Sequence, residues 1–125
     1  MTHFLVLGSS GQVASAIARR FVSLGRKTTV LGRSELDLSN PIAAREAVLR
    51  LAPDFVINAA AYTAVDRAET EVDAVFALNA TGPAAAAAAA AEIGAPFVHF
   101  STDYVFDGTK GSPYVETDTP RPLGV

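Results

Sequence analysis

The stretch that decides the fold is His3-Phe4-Leu5-Val6-Leu7-Gly8-Ser9-Ser10-Gly11-Gln12-Val13-Ala14. A short apolar run, His3–Leu7, ending in glycine reads as a strand covered on both faces. Beyond Gly11 the period changes. Val13, Ile17, Phe21 and Leu24 recur at helical spacing, Arg19, Arg20 and Ser23 fall elsewhere, and Gly25 supplies the stop. A glycine-rich turn between a strand and a helix lets backbone N–H groups approach a pyrophosphate at the helix N-terminus. The spacing is G-x-x-G-x-x-A rather than G-x-G-x-x-G, and no Gly-Lys-Ser/Thr follows, which argues against a nucleoside-triphosphate loop. The turn, with Gly8 and Gly11, is a candidate dinucleotide site, and a purely structural turn is the alternative reading.

Outward from this unit, strand-like and helix-like segments alternate. Thr28–Leu31 is a β-branched second strand and Leu36–Leu38 a very short third. Asn40-Pro41 opens a helix with Ile42 and Leu49 on one face, ending before Pro53. Phe55–Asn58 is a fourth, buried strand. A long helical region starts near Val65, is interrupted at Thr81-Gly82-Pro83, and continues through eight alanines, Ala84–Ala91. Alanine favours helix and lets it sit close to a sheet, so this run is structural. Gly94 and Pro96 end it, and Phe97–Ser101 is a fifth strand. From there to Val125 the Gly/Pro-rich sequence reads as a long loop. The expected fold is α/β, a doubly wound parallel sheet of Rossmann type with strand order 3-2-1-4-5, truncated after the fifth strand.

The chain has 125 residues, enough for one domain with one core. Half of them are hydrophobic and only 18% charged, which excludes intrinsic disorder. Net charge is −3 with Lys and Arg dispersed, so no nucleic-acid footprint is present. No uninterrupted apolar run approaches the roughly 18 residues of a membrane span, and no signal-peptide pattern precedes the first strand. No cysteine is present, which removes disulfides and thiolate chemistry and fits a cytoplasmic protein; two histidines are too few for a His-rich metal site.

Three further segments fall at strand ends, where ligands of open α/β sheets bind. In Gly32-Arg33-Ser34-Glu35, an acid would hold adenosine ribose hydroxyls and an arginine would accommodate a 2′-phosphate; Arg33 comes first after the strand, while Glu35 keeps NAD(H) beside NADP(H) as cofactor. In Asn58-Ala59-Ala60-Ala61-Tyr62-Thr63 the small residues would let a flat cofactor pass close to the backbone, or simply pack. Ser101-Thr102-Asp103-Tyr104 sets hydroxyls, a carboxylate and an aromatic on the same edge, with a local Ser/Thr turn as the plainer reading. Asp66, Glu69 and Asp73 read as a solvated acidic face and His99 as a satisfied core or interface histidine.

Taken together, Gly11-Gln12-Val13, Asp37-Leu38 before Asn40-Pro41, Asn58-Ala-Ala-Ala-Tyr-Thr-Ala-Val-Asp66, Leu78-Asn79-Ala80-Thr81, Ser101-Thr102-Asp103-Tyr104-Val105-Phe106, Glu116-Thr117-Asp118 and Pro122-Leu123 make a specific series. It resembles the N-terminal part of the dTDP-4-dehydrorhamnose reductase family, extended short-chain dehydrogenases/reductases, from Gly8 to Val125. The resemblance implies NAD(P)H-dependent reduction of the 4-keto group of dTDP-4-dehydro-6-deoxy-L-mannose to dTDP-L-rhamnose. It implies that Gly11, Gln12 and Val13 hold the pyrophosphate, that Asp37 and Leu38 contact the adenine, and that Ala61, Tyr62 and Thr63, after Ala59 and Ala60, line the nicotinamide side. Thr102 matches the hydroxyl of the family's Thr/Ser–Tyr–Lys triad, and Asp103 and Tyr104 would meet the sugar. The expected partner is thus a nucleotide-linked keto-sugar, with no nucleic acid, no membrane and no metal; a homodimer is compatible with the sequence, which does not fix the oligomeric state.

Two departures stand out. Ala14 occupies the third glycine position, and no Tyr-x-x-x-Lys is present: Tyr62, Tyr104 and Tyr114 have neither Lys27 nor Lys110 four residues on. In the family that motif follows the Pro-Leu-x-Val stretch, so the reading is an NAD(P)-binding domain, residues 1–125, incomplete at its C-terminus, without the substrate-binding part and inactive alone. The competing readings are a non-catalytic subunit resembling the regulatory subunit of methionine adenosyltransferase, and a nucleotide-sugar epimerase or dehydratase.

Overall fold

The computed structural model describes residues 1–125. Four parallel strands, β1 (His3–Leu7), β2 (Lys27–Leu31), β3 (Phe55–Asn58) and β4 (Phe97–His99), form one sheet in the order β2-β1-β3-β4. The helices are α1 (Gln12–Ser23), α2 (Pro41–Leu51), α3 (Val65–Ala68), α4 (Val72–Phe76) and α5 (Gly82–Glu92). This is the doubly wound parallel arrangement expected, with one strand fewer. Leu36–Leu38 forms no strand; Leu36 and Leu38 instead turn into the core from an irregular segment. Their burial is what the apolar spacing encoded, and at roughly 1.5–3 kcal/mol for a fully buried leucine it needs no ladder. The last strand is also shorter than expected, stopping at His99.

Side chains alternate across a strand, so each helix layer reads one set of residues. Leu5, Leu7 and Val56 face α2 and α5 and form the main core with Ala44, Ala47, Val48, Ala86, Ala89 and Ala90. The opposite face carries Phe4, Val6, Phe55 and Ile57 under α1, where the Phe4 and Phe21 rings stand 4.4 Å apart. In α2, Asn40 caps as expected: its Oδ1 accepts from the N–H groups of Ile42 and Ala43. The buried stripe, however, is Ala44, Ala47 and Val48, and Ile42 is exposed.

The helical region from Val65 breaks earlier than expected. α3 ends at Ala68, and from Val72 the chain stays helical to Glu92 through Gly82-Pro83. Pro83 has no N–H and its ring would crowd the Asn79 carbonyl four residues back. The helix answers with a wider π turn over Ala77–Thr81, the Gly82 N–H bonding to the Ala77 carbonyl. Val72–Glu92 is long and apolar enough to cross a membrane, yet Gly82, Pro83, Ala86, Ala89 and Ala90 are buried in this fold. Gly82 is obligatory here, because a Cβ would lie 1.7 Å from the Leu38 carbonyl oxygen.

Candidate functional site at the carboxyl edge of the sheet

The parallel register sets Leu7 beside both Leu31 and Asn58, and Asn58 beside His99. All four strands therefore end in one row, and the loops that follow them open on one edge. The turn Gly8–Gly11, the Gly32–Glu35 turn, the Ala59–Thr63 loop and Ser101–Tyr104 are brought together in this way.

Gly8 is the tightest point. Its φ is +104°, and a Cβ would come 3.0 Å from Ala60 N and 3.1 Å from the Ala59 carbonyl carbon. Its N–H donates to the Leu31 carbonyl at 2.8 Å, and the Ala59 N–H to the Leu7 carbonyl at 2.9 Å. Three strand ends thus close on one glycine. Gly11 precedes α1 in extended conformation, with no side-chain cap on the helix and no acidic residue in its first turn. The first N–H groups of α1, at exposed Gln12 and Val13, are left facing outward, a donor set suited to an anion. Ala14 is fully buried, so its small side chain serves the close packing expected of a third glycine.

At the end of β2, Arg33 is exposed and makes no ion pair. Glu35 folds back: Oε2 accepts from the Gly32 N–H at 2.9 Å and Oε1 from the Ser34 hydroxyl at 2.7 Å, which holds the carboxyl below its usual range. Asp37 is occupied similarly, accepting from the Ser39 hydroxyl and N–H, and its carboxyl is lowered by them. Leu38 is a buried core residue, its carbonyl against Gly82.

In the third loop, Ala59 and Ala60 are half-buried and Ala61 and Thr63 exposed. Sequence reasoning gave these residues roles and gave none to Asn58, Asn79 and Glu71, which hold them. Asn58, 1% exposed, accepts from the Ala60 N–H through Oδ1 and so donates through Nδ2 to His99 Nδ1, leaving the imidazole proton on Nε2. Asn79, in the π turn, grips Tyr62 twice, accepting from its N–H at 2.7 Å and donating to its carbonyl at 3.0 Å. The Tyr62 hydroxyl donates to Glu71 at 2.5 Å, and Arg67 pairs with the same carboxylate. These bonds raise the phenol above its ordinary value and lower Glu71. A polar residue inside an apolar strand or helix, as Asn58 and Asn79 are, was the available signal. His99 is satisfied, as expected, but exposed rather than in the core.

The fourth loop takes the plainer form. Thr102 caps a short 3₁₀ turn, Asp103–Val105: its hydroxyl accepts from the Tyr104 N–H at 3.1 Å and points its proton at Asp103 Oδ1, 3.3 Å away. Thr102, Asp103 and Tyr104 are all exposed. Of the acidic residues set aside as a solvated face, Asp66 and Asp73 are exposed and Glu69 accepts from the Val125 N–H.

A parallel sheet with helices on both faces and a glycine turn crossing from its central strand to the first helix defines a Rossmann-type α/β domain. More narrowly, the chain belongs to the RmlD substrate binding domain family, whose model matches residues 1–125. The dTDP-4-dehydrorhamnose reductase of Burkholderia thailandensis is 48% identical over 119 residues, covering 95% of this chain and 40% of that protein. Among solved structures, a dTDP-4-dehydrorhamnose reductase from Clostridium acetobutylicum superposes with TM-score 0.94 at 36% identity, covering 98% of this chain and 44% of that one. Another, from Bacillus anthracis in complex with NADP, gives 0.91 at 31% identity, covering 99% and 44%. The chain spans about 40% of the length of the curated relatives it matches.

Proposed function

We propose that this segment is the cofactor-binding part of an NAD(P)H-dependent reductase acting on the 4-keto group of dTDP-4-dehydro-6-deoxy-L-mannose. The observation that carries the reading is the row of strand ends: Leu7, Leu31, Asn58 and His99 deliver four loops to one edge, around a glycine that admits no side chain. In this reading the α1 N-terminus, at Gly11, Gln12 and Val13, receives the pyrophosphate. Asp37 and Leu38 flank the adenine, and Ala59–Thr63 line the nicotinamide side. The absence of a Cβ at Gly8 and of a cap on α1 fits a bound dinucleotide, which when present supplies the hydride.

Hydride addition builds negative charge on the sugar's C4 oxygen, and a positioned donor lowers that cost. Thr102 serves as the donor by releasing Asp103 and turning its proton to the oxygen, while Asp103 and Tyr104 meet the sugar. No Tyr-x-x-x-Lys pair is present to deliver the final proton, so these 125 residues alone turn over no keto-sugar. Relatives at 31–48% identity carry the reductase name, which favours this reading over an epimerase or a regulatory subunit.

The test splices residues 1–125 in place of the matching segment of the Burkholderia thailandensis reductase and follows keto-sugar-dependent NAD(P)H oxidation. The expected outcome is turnover, with Thr102→Val lowering kcat by about 10²-fold, the scale of one lost oxyanion donor. Unchanged kcat in Thr102→Val removes that residue's role, and a folded but inactive hybrid argues for a binding module.

A further inference from the structure

The buried amide of Asn58 joins two strand ends and imposes one protonation state on His99. A backbone N–H only donates, so the amide oxygen, Oδ1, is the atom that meets the Ala60 N–H at 3.1 Å. Nδ2 then faces His99 Nδ1 at 2.9 Å and donates to it. That ring nitrogen carries no hydrogen, and the imidazole proton sits on Nε2. A protonated ring has a hydrogen on both nitrogens, which would set a His99 N–H against an Asn58 N–H. Two rearrangements relieve that opposition. Flipping the amide turns Nδ2 onto the Ala60 N–H. Swinging the ring out strips Nδ2 of its acceptor, on a side chain only 1% exposed. In both cases the amide loses a partner, and the loss falls where the third loop presses on the glycine turn: a Cβ on Gly8 would lie 3.0 Å from the Ala60 nitrogen. The elements packed against β4 offer the ring no counter-charge. β3 has no ionisable side chain, and Glu92, the one acid of α5, is paired with Arg45. Asp103, in the loop beyond, takes the Thr102 hydroxyl.

We infer that His99 is a positioning residue of this edge and works only as the neutral Nε2–H tautomer: through Asn58 it fixes the Ala60 N–H, and with it the Ala59–Thr63 loop where that loop meets Gly8. On gaining a proton it releases the loop. His99 touches no ligand in this account and acts through the Asn58 amide. The consequence for binding rests on the dinucleotide reading above, in which this loop lines the nicotinamide side, whereas the clamp itself does not depend on it.

The test follows wild type, His99→Asn and His99→Leu by NMR and by calorimetric titration with NADP⁺, between about pH 8 and pH 5, the range in which histidine changes charge. Asparagine sets an amide oxygen near the place of Nδ1 and accepts at every pH, whereas leucine accepts at none. At the alkaline end the His99 imidazole nitrogens should report the Nε2–H tautomer. On acidification the Ala60 amide resonance should move with the His99 midpoint in wild type and stay still in His99→Asn. NADP⁺ affinity of wild type should fall about tenfold relative to His99→Asn across the range, the scale of one buried donor left unpaired, and His99→Leu should already bind about tenfold more weakly at the alkaline end. The ratio to His99→Asn cancels the titration of the dinucleotide and of His3. An Nδ1–H tautomer, an Ala60 resonance indifferent to His99, or a pH dependence of binding that His99→Asn retains in full overturns the inference. The tautomer and the Ala60 titration are read in wild type, so the outcome does not hang on either variant folding. If wild type binds no NADP⁺ while Ala60 still follows His99, the dinucleotide reading falls and the clamp stands; binding with Ala60 indifferent to His99 overturns the clamp alone.

Discussion

The glycine-turn corner and the segment Ser101–Val125 are built on different principles, although both meet the carboxyl edge. The corner is made by close approach: Gly8 against the Ala59 and Ala60 backbone, Gly32 against the Ser9 side chain, and Gly82 against the Leu38 carbonyl. The C-terminal segment contains no buried residue. Its order comes from side chains that meet one another. Phe106 and Tyr114 stack with ring centroids 4.2 Å apart, the Tyr114 hydroxyl donates to Asp107, Lys110 pairs with Asp118, and Asp107 also accepts from Thr109. One region has no room for a side chain at Gly8 or Gly82, while the other depends on charges that salt and acid weaken. Under the proposed function, a site with one wall of each kind would hold the cofactor in a fixed position opposite a wall that adapts.

Adding atoms at the crowded points gives the largest expected effects. Gly82→Ala forces α5 off the Leu38 carbonyl, and urea unfolding should register a loss of about 3 kcal/mol or more, at the upper end of overpacking costs. Gly8→Ala combines a positive φ with a 3.0 Å approach to Ala60 N and should cost about 2 kcal/mol by the same measurement. A cost under about 0.5 kcal/mol at both sites would break the contrast, since that is the range of ordinary surface substitutions.

Acid acts on the opposite end of the sheet and on the C-terminal segment in different pH windows. His3, buried at the opposite end of β1 with Nε2 on Thr29 Oγ1, has its pKa lowered first by burial and then by Lys27. The unfolded chain therefore binds more protons, so stability falls as pH drops below the ordinary value of 6.5. Asp107 and Asp118 have lowered pKa values from their hydrogen bonds, so the stability they contribute holds above the ordinary 3.8 and is lost as pH falls below it. Urea midpoints should decline between pH 7 and 5 in wild type, and less in His3→Gln, with the C-terminal segment loosening only in stronger acid. An identical decline in His3→Gln would assign the acid sensitivity elsewhere.

The smallest effect belongs to the C-terminal segment. Asp118→Asn removes the partner of Lys110 and weakens the acceptor of the Val115 N–H. Amide exchange at Val115 should quicken while the global unfolding midpoint stays put. A shift of the global midpoint would mean that this segment folds with the core rather than onto it.

The same contrast explains what was legible from the sequence. Strands β1 to β3, the Asn40 cap and the glycine turn follow from periodicity and turn chemistry, which are local. Leu36–Leu38 misled because alternating leucines mark burial whether or not a neighbouring strand supplies hydrogen bonds. Gly82-Pro83 read as a break because a π turn that absorbs a proline has no signature beyond the proline itself. The clamps from Asn79 and Glu71 onto Tyr62 join residues 17 and 9 positions apart, and only the assembled fold puts them in contact.

Chemical-shift mapping of the chain titrated with NADP⁺ tests the central claim most directly. Perturbed amides should cluster at Gly8–Val13, Arg33 and Ala59–Thr63, along the row of strand ends. An unperturbed spectrum, or shifts centred on His3 and Asp54 at the opposite edge, would contradict the assignment of this edge as a dinucleotide site.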